Sequence, residues 1–226
     1  MFDKNTCLPD NTVTNRESTV ERARDYRRGE YDKKRLGRQW QMKRQDRFER
    51  TFAQRLFEMV GSDSHIVDIP CGNGRFFEIF SHTKELTMAD YSINMLRVCE
   101  ETFGPPANVR LLRAEISSIP LLDNSADLCF CIRLFHHMKT DLVRLGALKE
   151  LARISRKYVA LSFYNKNCLK FYWRKMLGKK IRGNYVTFDH FIGLAKQAGL
   201  ELVERFPKVS LVGRQCLVVF RKTQDG

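Results

Sequence analysis

Long apolar runs are missing from this chain of 226 residues. No stretch of about 18 apolar residues occurs, so we expect no membrane-spanning helix. Residues 1–14 (MFDKNTCLPDNTVT) also lack an apolar segment, and we expect neither a signal peptide nor ordered structure there. The length is enough to bury a full core and predicts one domain with an extension.

Paired cysteine spacing is missing as well. The chain has seven cysteines, an odd number, which indicates free thiols in a reducing compartment. Cys129 and Cys131 would face one side of a strand, but no second Cys or His pair with suitable spacing accompanies them. We therefore predict no metal site, and a cytoplasmic location with a peripheral position at a membrane as the alternative.

Acidic residues are scarce, since 26 Asp and Glu face 40 Lys and Arg and leave a net charge of +14. Between Glu150 and Asp189 there is no acid, whereas ten Lys or Arg occur there. Residues 169–180 (LKFYWRKMLGKK) mix bulky apolar groups with these cations. Four interpretations stay open for a basic insertion at 165–186: a lid over an anionic substrate, a helix at an anionic membrane surface, a nucleic-acid grip with stacking aromatics, or a solvated loop.

Residues 15–60 mix charges of both signs at helical spacing, which is typical of solvated helices. Residues 16–50 hold thirteen Lys or Arg against seven Asp or Glu. The second predicted helix, 38–60, has an apolar stripe that would pack on a sheet. The stripe consists of Phe48, Phe52, Leu56 and Met59. We predict a helical lid at 15–60 ahead of the main domain at 61–226.

A glycine loop follows the first predicted strand. His65–Ile69 is short and apolar, as a buried parallel strand should be. Gly72 and Gly74 interrupt it, and Arg75 resumes a helical pattern. In open α/β sheets, ligands lie at the carboxyl ends of the strands against such a loop, and glycine lets them approach the backbone.

Two nucleotide-binding motifs are incomplete at this loop. A dinucleotide fingerprint, G-x-G-x-x-G, would need a third glycine where Phe77 stands. A mononucleotide P-loop would need G-K-[ST], and no Lys follows Gly74. A plain turn that binds no ligand is a further alternative.

Around the two glycines the chain reads DIPCGNG, from Asp68 to Gly74. This run resembles the S-adenosylmethionine (SAM) loop of class I methyltransferases, which has an acid at the end of the first strand and then G-x-G-x-G. The chain departs from that pattern at Pro70, which replaces the first glycine. The resemblance implies that the methionine part of SAM is held by five residues. They are Asp68, Pro70, Cys71, Gly72 and Gly74.

A second acid stands where the same family has its next motif. Asp90 ends the second predicted strand and begins the run DYSINML, sixteen residues after Gly74. The resemblance implies that Asp90 binds the ribose of SAM, that Tyr91 lies over the cofactor, and that Met95 also contacts it. The alternative for Asp90 is a plain helix-capping acid.

A third acid follows the third predicted strand, 109–113. By resemblance, Glu115 accepts a hydrogen bond from the adenine amino group and Ile116 packs against the ring. A carboxylate that only accepts hydrogen bonds suits an amino donor. The alternative for Glu115 is an acid in a surface turn.

The segment after the fourth predicted strand reads RLFHHM, from Arg133 onward. It resembles the post-strand-four segment of the family, where a His pair is common, and would face both methyl donor and acceptor. The resemblance implies that Arg133 contacts the cofactor and that His137, or else His136, is a general base. A packing role for the two His is the alternative.

In phosphobase methyltransferases, a related group, a His at this place pairs with an N-terminal Tyr. By that resemblance Tyr26 or Tyr31 would take part in catalysis together with His137.

Strands and helices alternate from residue 65 to residue 164, which predicts an α/β fold. The resemblance implies a doubly wound, mostly parallel sheet of seven strands with an antiparallel last strand, plus the N-terminal helical extension. It implies a SAM-dependent methyltransferase, for which the basic insertion favours an anionic small-molecule or lipid-linked acceptor, methylated on oxygen or nitrogen. An RNA methyltransferase, or a non-catalytic module that binds RNA or a membrane, is the alternative.

Overall fold

The structure, a computed structural model, describes residues 39–181, 183–206 and 214–223. Within them, eight strands form one sheet with helices on both faces. The strands are β1 His65–Asp68, β2 Glu85–Asp90, β3 Val109–Arg113, β4 Ala126–Cys131, β5 Ser155–Asn165, β6 Tyr185–Val186, β7 Leu200–Phe206 and β8 Gln215–Lys222. The helices are α1 Gln39–Val60, α2 Phe77–Phe80, α3 Ile93–Phe103, α4 Asp141–Ile154, α5 Leu169–Met176 and α6 Phe188–Gln197, with a 3-10 turn at Phe135–His137.

The strand order is β3-β2-β1-β4-β5-β8-β7, and the two-residue β6 pairs with the end of β5. Strands β1 to β5 run parallel, while β8 is antiparallel to both of its neighbours. The predicted doubly wound sheet with an antiparallel last strand is confirmed, and β6 raises the strand number from seven to eight. Because the winding reverses between β1 and β4, their carboxyl ends border the crevice where α/β folds bind ligands.

Helix α1 confirms the second predicted N-terminal helix, but one residue of the predicted stripe is wrong. Phe52 and Leu56 are buried and Phe48 packs at the edge of the same cluster, whereas Met59 is 42% exposed. The buried face of α1 runs through Ala53 instead, so Met59 turns outward near the end of the helix. The predicted tail and most of the predicted lid lie outside the described residues.

Apolar side chains cover both faces of the sheet. Helices α4 and α6 pack on one face, and α1, α2 and α3 on the other. On the second face Phe130 of β4 meets the rings of Phe76 and Phe80 edge-on, at centroid distances of 4.8 and 5.0 Å. In the described part of the chain, no helix has the length and apolar character needed to cross a bilayer.

Candidate functional site

A buried carboxylate stands at the start of the glycine loop. Asp68 ends β1, and its Oδ1 has no hydrogen-bond partner among the described residues. Burial raises the pKa of Asp68 well above its usual range; the charge of Arg75 opposes this rise and that of Asp90 adds to it. The Oδ1 atom of Asn73 is likewise buried and unpartnered within the described chain. Leaving such groups unsatisfied costs about 1–3 kcal/mol each, so both oxygens favour a donor from a ligand.

The two glycines shape this loop in different ways. Gly72 has φ +56°, and a Cβ at this position would meet no atom within 4 Å, so the backbone borders open space. Gly74 has φ +75°, and a Cβ there would collide with the ring of Phe103 and press on Met88. Gly72 thus leaves room for a ligand, whereas Gly74 lets α3 approach the loop. The peptide bond before Pro70 is cis.

Asp90 ties the loop to the end of β2. Its Oδ2 accepts a hydrogen bond from the backbone N–H of Gly72 at 2.9 Å, and its Oδ1 accepts one from Ser92 at 2.8 Å. Burial raises the pKa of Asp90, although these backbone hydrogen bonds lower it in part. Each carboxylate oxygen keeps a second lone pair, which leaves Asp90 able to accept from ribose hydroxyls as predicted.

Thiols complete the support of the loop. The Sγ atom of Cys99 on α3 donates to the carbonyl oxygen of Gly72 at 3.3 Å, and the Sγ of Cys71 lies 3.6 Å from the same oxygen. The cysteines in the described residues are buried free thiols, as expected from their spacing. Within the described residues, no three His, Cys, Asp or Glu side chains gather as a metal site would require.

The other predicted cofactor residues lie along the same edge. Tyr91 follows Asp90 with an exposed ring, and Met95 is buried in the first turns of α3. The backbone N–H of Ala114 donates to the carbonyl of Asp90 at 3.1 Å, which holds the end of β3 beside β2. Next come Glu115, whose carboxylate is exposed, and Ile116, whose apolar side chain is buried. We call this edge, from the β1 loop to residue 116, the cofactor side.

Glu49 is the residue that sequence reasoning missed. It lies fully buried on α1. Its Oε1 accepts from Nε of Arg133 at 2.8 Å and from Nε2 of Gln215 at 2.7 Å, and its Oε2 pairs with Nη2 of Arg75 at 2.7 Å. One carboxylate therefore joins α1, the glycine loop, the segment after β4 and the start of β8.

A spacing signal for Glu49 was present in the sequence. It precedes Phe52, Ala53 and Leu56 by three, four and seven positions, which puts it on the buried face of the helix. A carboxylate on such a face is rarely buried without a charged partner. Arg133, predicted to contact the cofactor, has φ +66° and uses its guanidinium for Glu49. A direct cofactor contact of Arg133 stays a prediction.

The predicted His pair lies across the crevice. The ring of His136 stacks on Tyr164 at the end of β5, with centroids 4.1 Å apart and an angle of 14°. Burial, followed by the charges of His137, Arg214 and Arg133, lowers the pKa of His136 to about 2. The His136 ring is therefore uncharged and a weak base at neutral pH.

The ring of His137 is exposed and lies 4.1 Å from that of His136, centroid to centroid. Its role as a general base stays a prediction. Its predicted partners, Tyr26 and Tyr31, lie outside the described residues.

Arg214 is the second residue that the motifs did not reveal. It directly precedes β8, whose first residue Gln215 pairs with Tyr164, so Arg214 lies at the carboxyl edge of β5. Its Cζ is 4.3 Å from the centroid of the Tyr164 ring, and no acidic side chain pairs with it within the described residues. Partial burial and the charges of Arg214 and Arg174 lower the pKa of Lys170. We call this cation-rich edge, at the ends of β4 and β5, the acceptor side.

The two sides of the crevice lie within or next to a segment of the chain that matches a known protein family. Residues 67–163, which run from the end of β1 through β2, β3 and β4 to most of β5, match the family described as methyltransferase domain. The chain carries a class I, SAM-dependent methyltransferase domain. The recognition of the family from its three motifs is thereby confirmed.

Curated relatives of this methyltransferase domain include tRNA (carboxymethyluridine(34)-5-O)-methyltransferase ALKBH8. The protein of Mus musculus is 35% identical over 103 residues, which are 45% of this chain and 14% of that protein. The protein of Xenopus tropicalis is 33% identical over 97 residues, which are 42% of this chain and 14% of that protein. The match thus spans about a seventh of the length of these relatives.

Solved methyltransferases share the fold. A methyltransferase of Haloferax volcanii, solved in complex with the Trm112 methyltransferase activator, has a TM-score of 0.63 at 17% identity and covers 88% of this chain and 100% of its own. The N-methyltransferase NodS of Bradyrhizobium japonicum, solved with S-adenosyl-L-homocysteine, has a TM-score of 0.58 at 17% identity, with 78% and 86% covered. At these identities the likeness concerns the fold alone.

The methyl donor of the methyltransferase domain is SAM, and the cofactor side fits it chemically. The ammonium group of SAM would supply the donors that Asp68 Oδ1 and Asn73 Oδ1 lack within the described chain. Gly72 leaves space beside the loop, and Asp90 retains acceptor capacity for hydroxyl groups. The roles of the individual residues stay predictions.

Proposed function

We propose that this domain methylates a carboxylate oxygen on an RNA nucleotide, with a carboxymethyluridine of tRNA as the substrate class. The observation that carries the proposal is Arg214, a half-buried guanidinium on the acceptor side without an acidic partner among the described residues. An unpaired guanidinium in a crevice is suited to a planar carboxylate, which it binds through two parallel hydrogen bonds. The similarity to the tRNA methyltransferase of Mus musculus supports tRNA as the carrier.

A carboxylate acceptor agrees with the chemistry of the His pair. A carboxylic acid has a pKa of about 4, so it is ionised at neutral pH and needs no general base before it attacks. The low pKa of His136 leaves that ring unable to take up a proton at neutral pH, which such an acceptor does not require. When bound, SAM supplies a methyl group activated by its sulfonium, and transfer to a carboxylate oxygen gives a methyl ester and S-adenosylhomocysteine.

The task left to the protein is alignment, which brings a large part of the rate in reactions between two bound groups. Arg133 lies near the same rings, but it is paired with Glu49, so of these two cations Arg214 is the one without an acidic partner among the described residues. The contact with the Tyr164 ring limits the positions that the guanidinium of Arg214 can take. A carboxylate bound to Arg214 would therefore lie at the ends of β4 and β5.

An anionic small molecule or lipid-linked acceptor, the first hypothesis from the sequence, would use the same cation. The difference lies in what carries the carboxylate. The similarity to tRNA methyltransferases favours RNA as that carrier.

The test is to incubate the full chain with methyl-labelled SAM and a stem-loop RNA that has one carboxymethyluridine in its loop. We expect label in this RNA, released by mild alkali because methyl esters hydrolyse there and methylated nitrogens do not. The matched controls are the same RNA with unmodified uridine and with the neutral carbamoylmethyl analogue, neither of which should gain label. Alkali-stable label, equal labelling of the controls, or labelling of small carboxylic acids alone would overturn the proposal.

A further inference from the structure

Helix α5 in the basic insertion exposes an apolar face. Leu169, Tyr172, Trp173 and Met176 are 61%, 55%, 61% and 72% exposed. They stand at positions i, i+3, i+4 and i+7 and therefore share one side of the helix. Such a stripe ordinarily faces the core of a protein, so its exposure here indicates a binding surface.

Cations surround this face. Lys170, Arg174 and Lys175 lie on the same helix, and no acid occurs between Glu150 and Asp189. Beside the helix, a cleft of about 530 Å³ is lined among others by Lys139, Lys166 and Asp141, and this acid is itself paired with Arg144. The surface is therefore matched in charge to a polyanion, and its two large exposed rings suit flat partners.

A chain of aromatic contacts links α5 to the acceptor side. On the opposite side of the helix, the buried ring of Phe171 lies 5.0 Å from that of Tyr185. Tyr185 lies 5.4 Å from Tyr164, which in turn stacks on His136. The packed rings hold the exposed face of α5 at a set position relative to Arg214, which also contacts Tyr164.

We propose that α5 binds unpaired nucleotides that flank the methylated residue. The rings of Tyr172 and Trp173 stack on bases, and Lys170, Arg174 and Lys175 bind the phosphates between them. The inference rests on the proposed function, since it takes the substrate that reaches Arg214 to be RNA. Of the polyanionic surfaces that this helix fits, RNA is favoured because the rings lead directly into the crevice where an acceptor must enter.

The experiment compares Trp173→Ala with Leu122→Ala in the full chain. Leu122 is 82% exposed but lies before β4, at the opposite edge of the sheet, so it controls for loss of an exposed apolar group. Two quantities are measured: the dissociation constant of the stem-loop RNA, by fluorescence anisotropy without SAM, and KM and kcat for its methylation. Loss of one stacked base weakens RNA binding by roughly tenfold.

We expect Trp173→Ala to raise the RNA dissociation constant and KM by that factor, with kcat and the SAM affinity unchanged. Leu122→Ala should match the wild-type protein in every quantity. Lys175→Ala should weaken binding and lower its salt dependence, whereas Lys84→Ala, at the edge away from the crevice, should do neither.

The outcomes separate this inference from the proposed function. If the wild-type chain methylates the RNA while Trp173→Ala and Leu122→Ala bind it equally well, the inference is overturned and the proposed function stands. If no RNA is methylated but Trp173→Ala still loses RNA affinity, the proposed function fails and the surface stands. If Trp173→Ala keeps its RNA affinity but loses binding to phosphatidylserine vesicles, α5 is a membrane helix and the inference is wrong.

Discussion

On the cofactor side of the crevice most charges are matched inside the chain, whereas on the acceptor side Arg214 has no acidic partner among the described residues. Glu49 pairs with Arg133 and, together with Asp46, with Arg75, and Asp90 is bonded to two backbone N–H groups. Arg214, by contrast, contacts a tyrosine ring and no carboxylate in the described chain. Matched charges hold the crevice in shape, and the unmatched ones indicate what it binds.

The unmatched groups on the two sides have opposite signs. On the cofactor side the exception is Asp68, a buried carboxylate with an orphan oxygen in the described structure, which suits a cationic ligand. On the acceptor side the unmatched Arg214 suits an anionic one. SAM carries positive charge on its sulfonium and ammonium groups, and a carboxylate acceptor carries negative charge. With the carboxylate acceptor that we propose, the crevice would be complementary in charge to the methyl donor and to the acceptor, which also attract each other.

The largest expected effect is a loss of stability when the buried ion pairs of Glu49 are broken. Glu49→Gln removes the buried carboxylate and leaves Arg75 and Arg133 without it. We expect the free energy of unfolding to fall by about 3–5 kcal/mol, because the guanidinium of Arg133 then loses its carboxylate in a largely buried place, while Arg75 keeps only Asp46. The measurement is urea unfolding followed by circular dichroism.

The matched control for this variant is Glu78→Gln. Glu78 pairs with Arg50 at 3.1 Å, but its side chain is 74% exposed, so its loss should change the unfolding free energy by about 0.5 kcal/mol or less. If the two variants lowered the unfolding free energy equally, the buried ion pairs of Glu49 would contribute no more to stability than an exposed pair. The contrast between matched charges on the cofactor side and the unmatched Arg214 would then not hold.

The next effect concerns the unmatched acid. Asp68→Asn keeps the shape of the side chain and removes its charge, so we expect SAM to bind roughly 100-fold more weakly in titration calorimetry, since a charge-assisted hydrogen bond in a buried site is lost. The same change should leave the ligand-free protein as stable or more stable. Because the folded pKa of Asp68 is raised, the folded state binds the proton more tightly, and ionisation at neutral pH opposes folding.

Protonation of Asp68 should weaken SAM binding in the same direction as the Asp68→Asn change does. Protonation of Asp68 competes with a cationic ligand, so affinity should fall as pH is lowered through its raised pKa. Asp63→Asn is the control, since Asp63 is an exposed acid paired with Lys84 at 3.2 Å. If Asp68→Asn binds SAM as tightly as the wild-type protein, then Oδ1 of Asp68 does not bind the cofactor.

The features that could be predicted from the sequence are local, whereas the features that could not be predicted join residues far apart along the chain. The strands, the glycine loop and Asp90 were predictable because each rests on a short pattern of apolar residues and glycines. The contact between Glu49 and Arg133 joins positions 84 residues apart, and Arg214 meets Tyr164 only because β8 inserts antiparallel beside β5. No local spacing encodes such pairings, and the two-residue β6 was too short to give any pattern.

The smallest of the three effects sharpens the acceptor side. Arg214→Met keeps most of the side-chain length and removes the guanidinium, and we expect kcat/KM for the carboxymethyluridine RNA to fall roughly tenfold, because Arg214 is half-buried and water screens part of its interaction. Arg214→Lys should recover only part of this loss, since an ammonium group cannot bind a carboxylate through two parallel hydrogen bonds. Arg221→Met is the control: Arg221 lies near the far end of β8, the strand that Arg214 precedes, and pairs with Glu201 at 3.2 Å. If Arg214→Met methylates the RNA as fast as Arg221→Met, then Arg214 does not bind the acceptor, and the role proposed for the acceptor side is wrong.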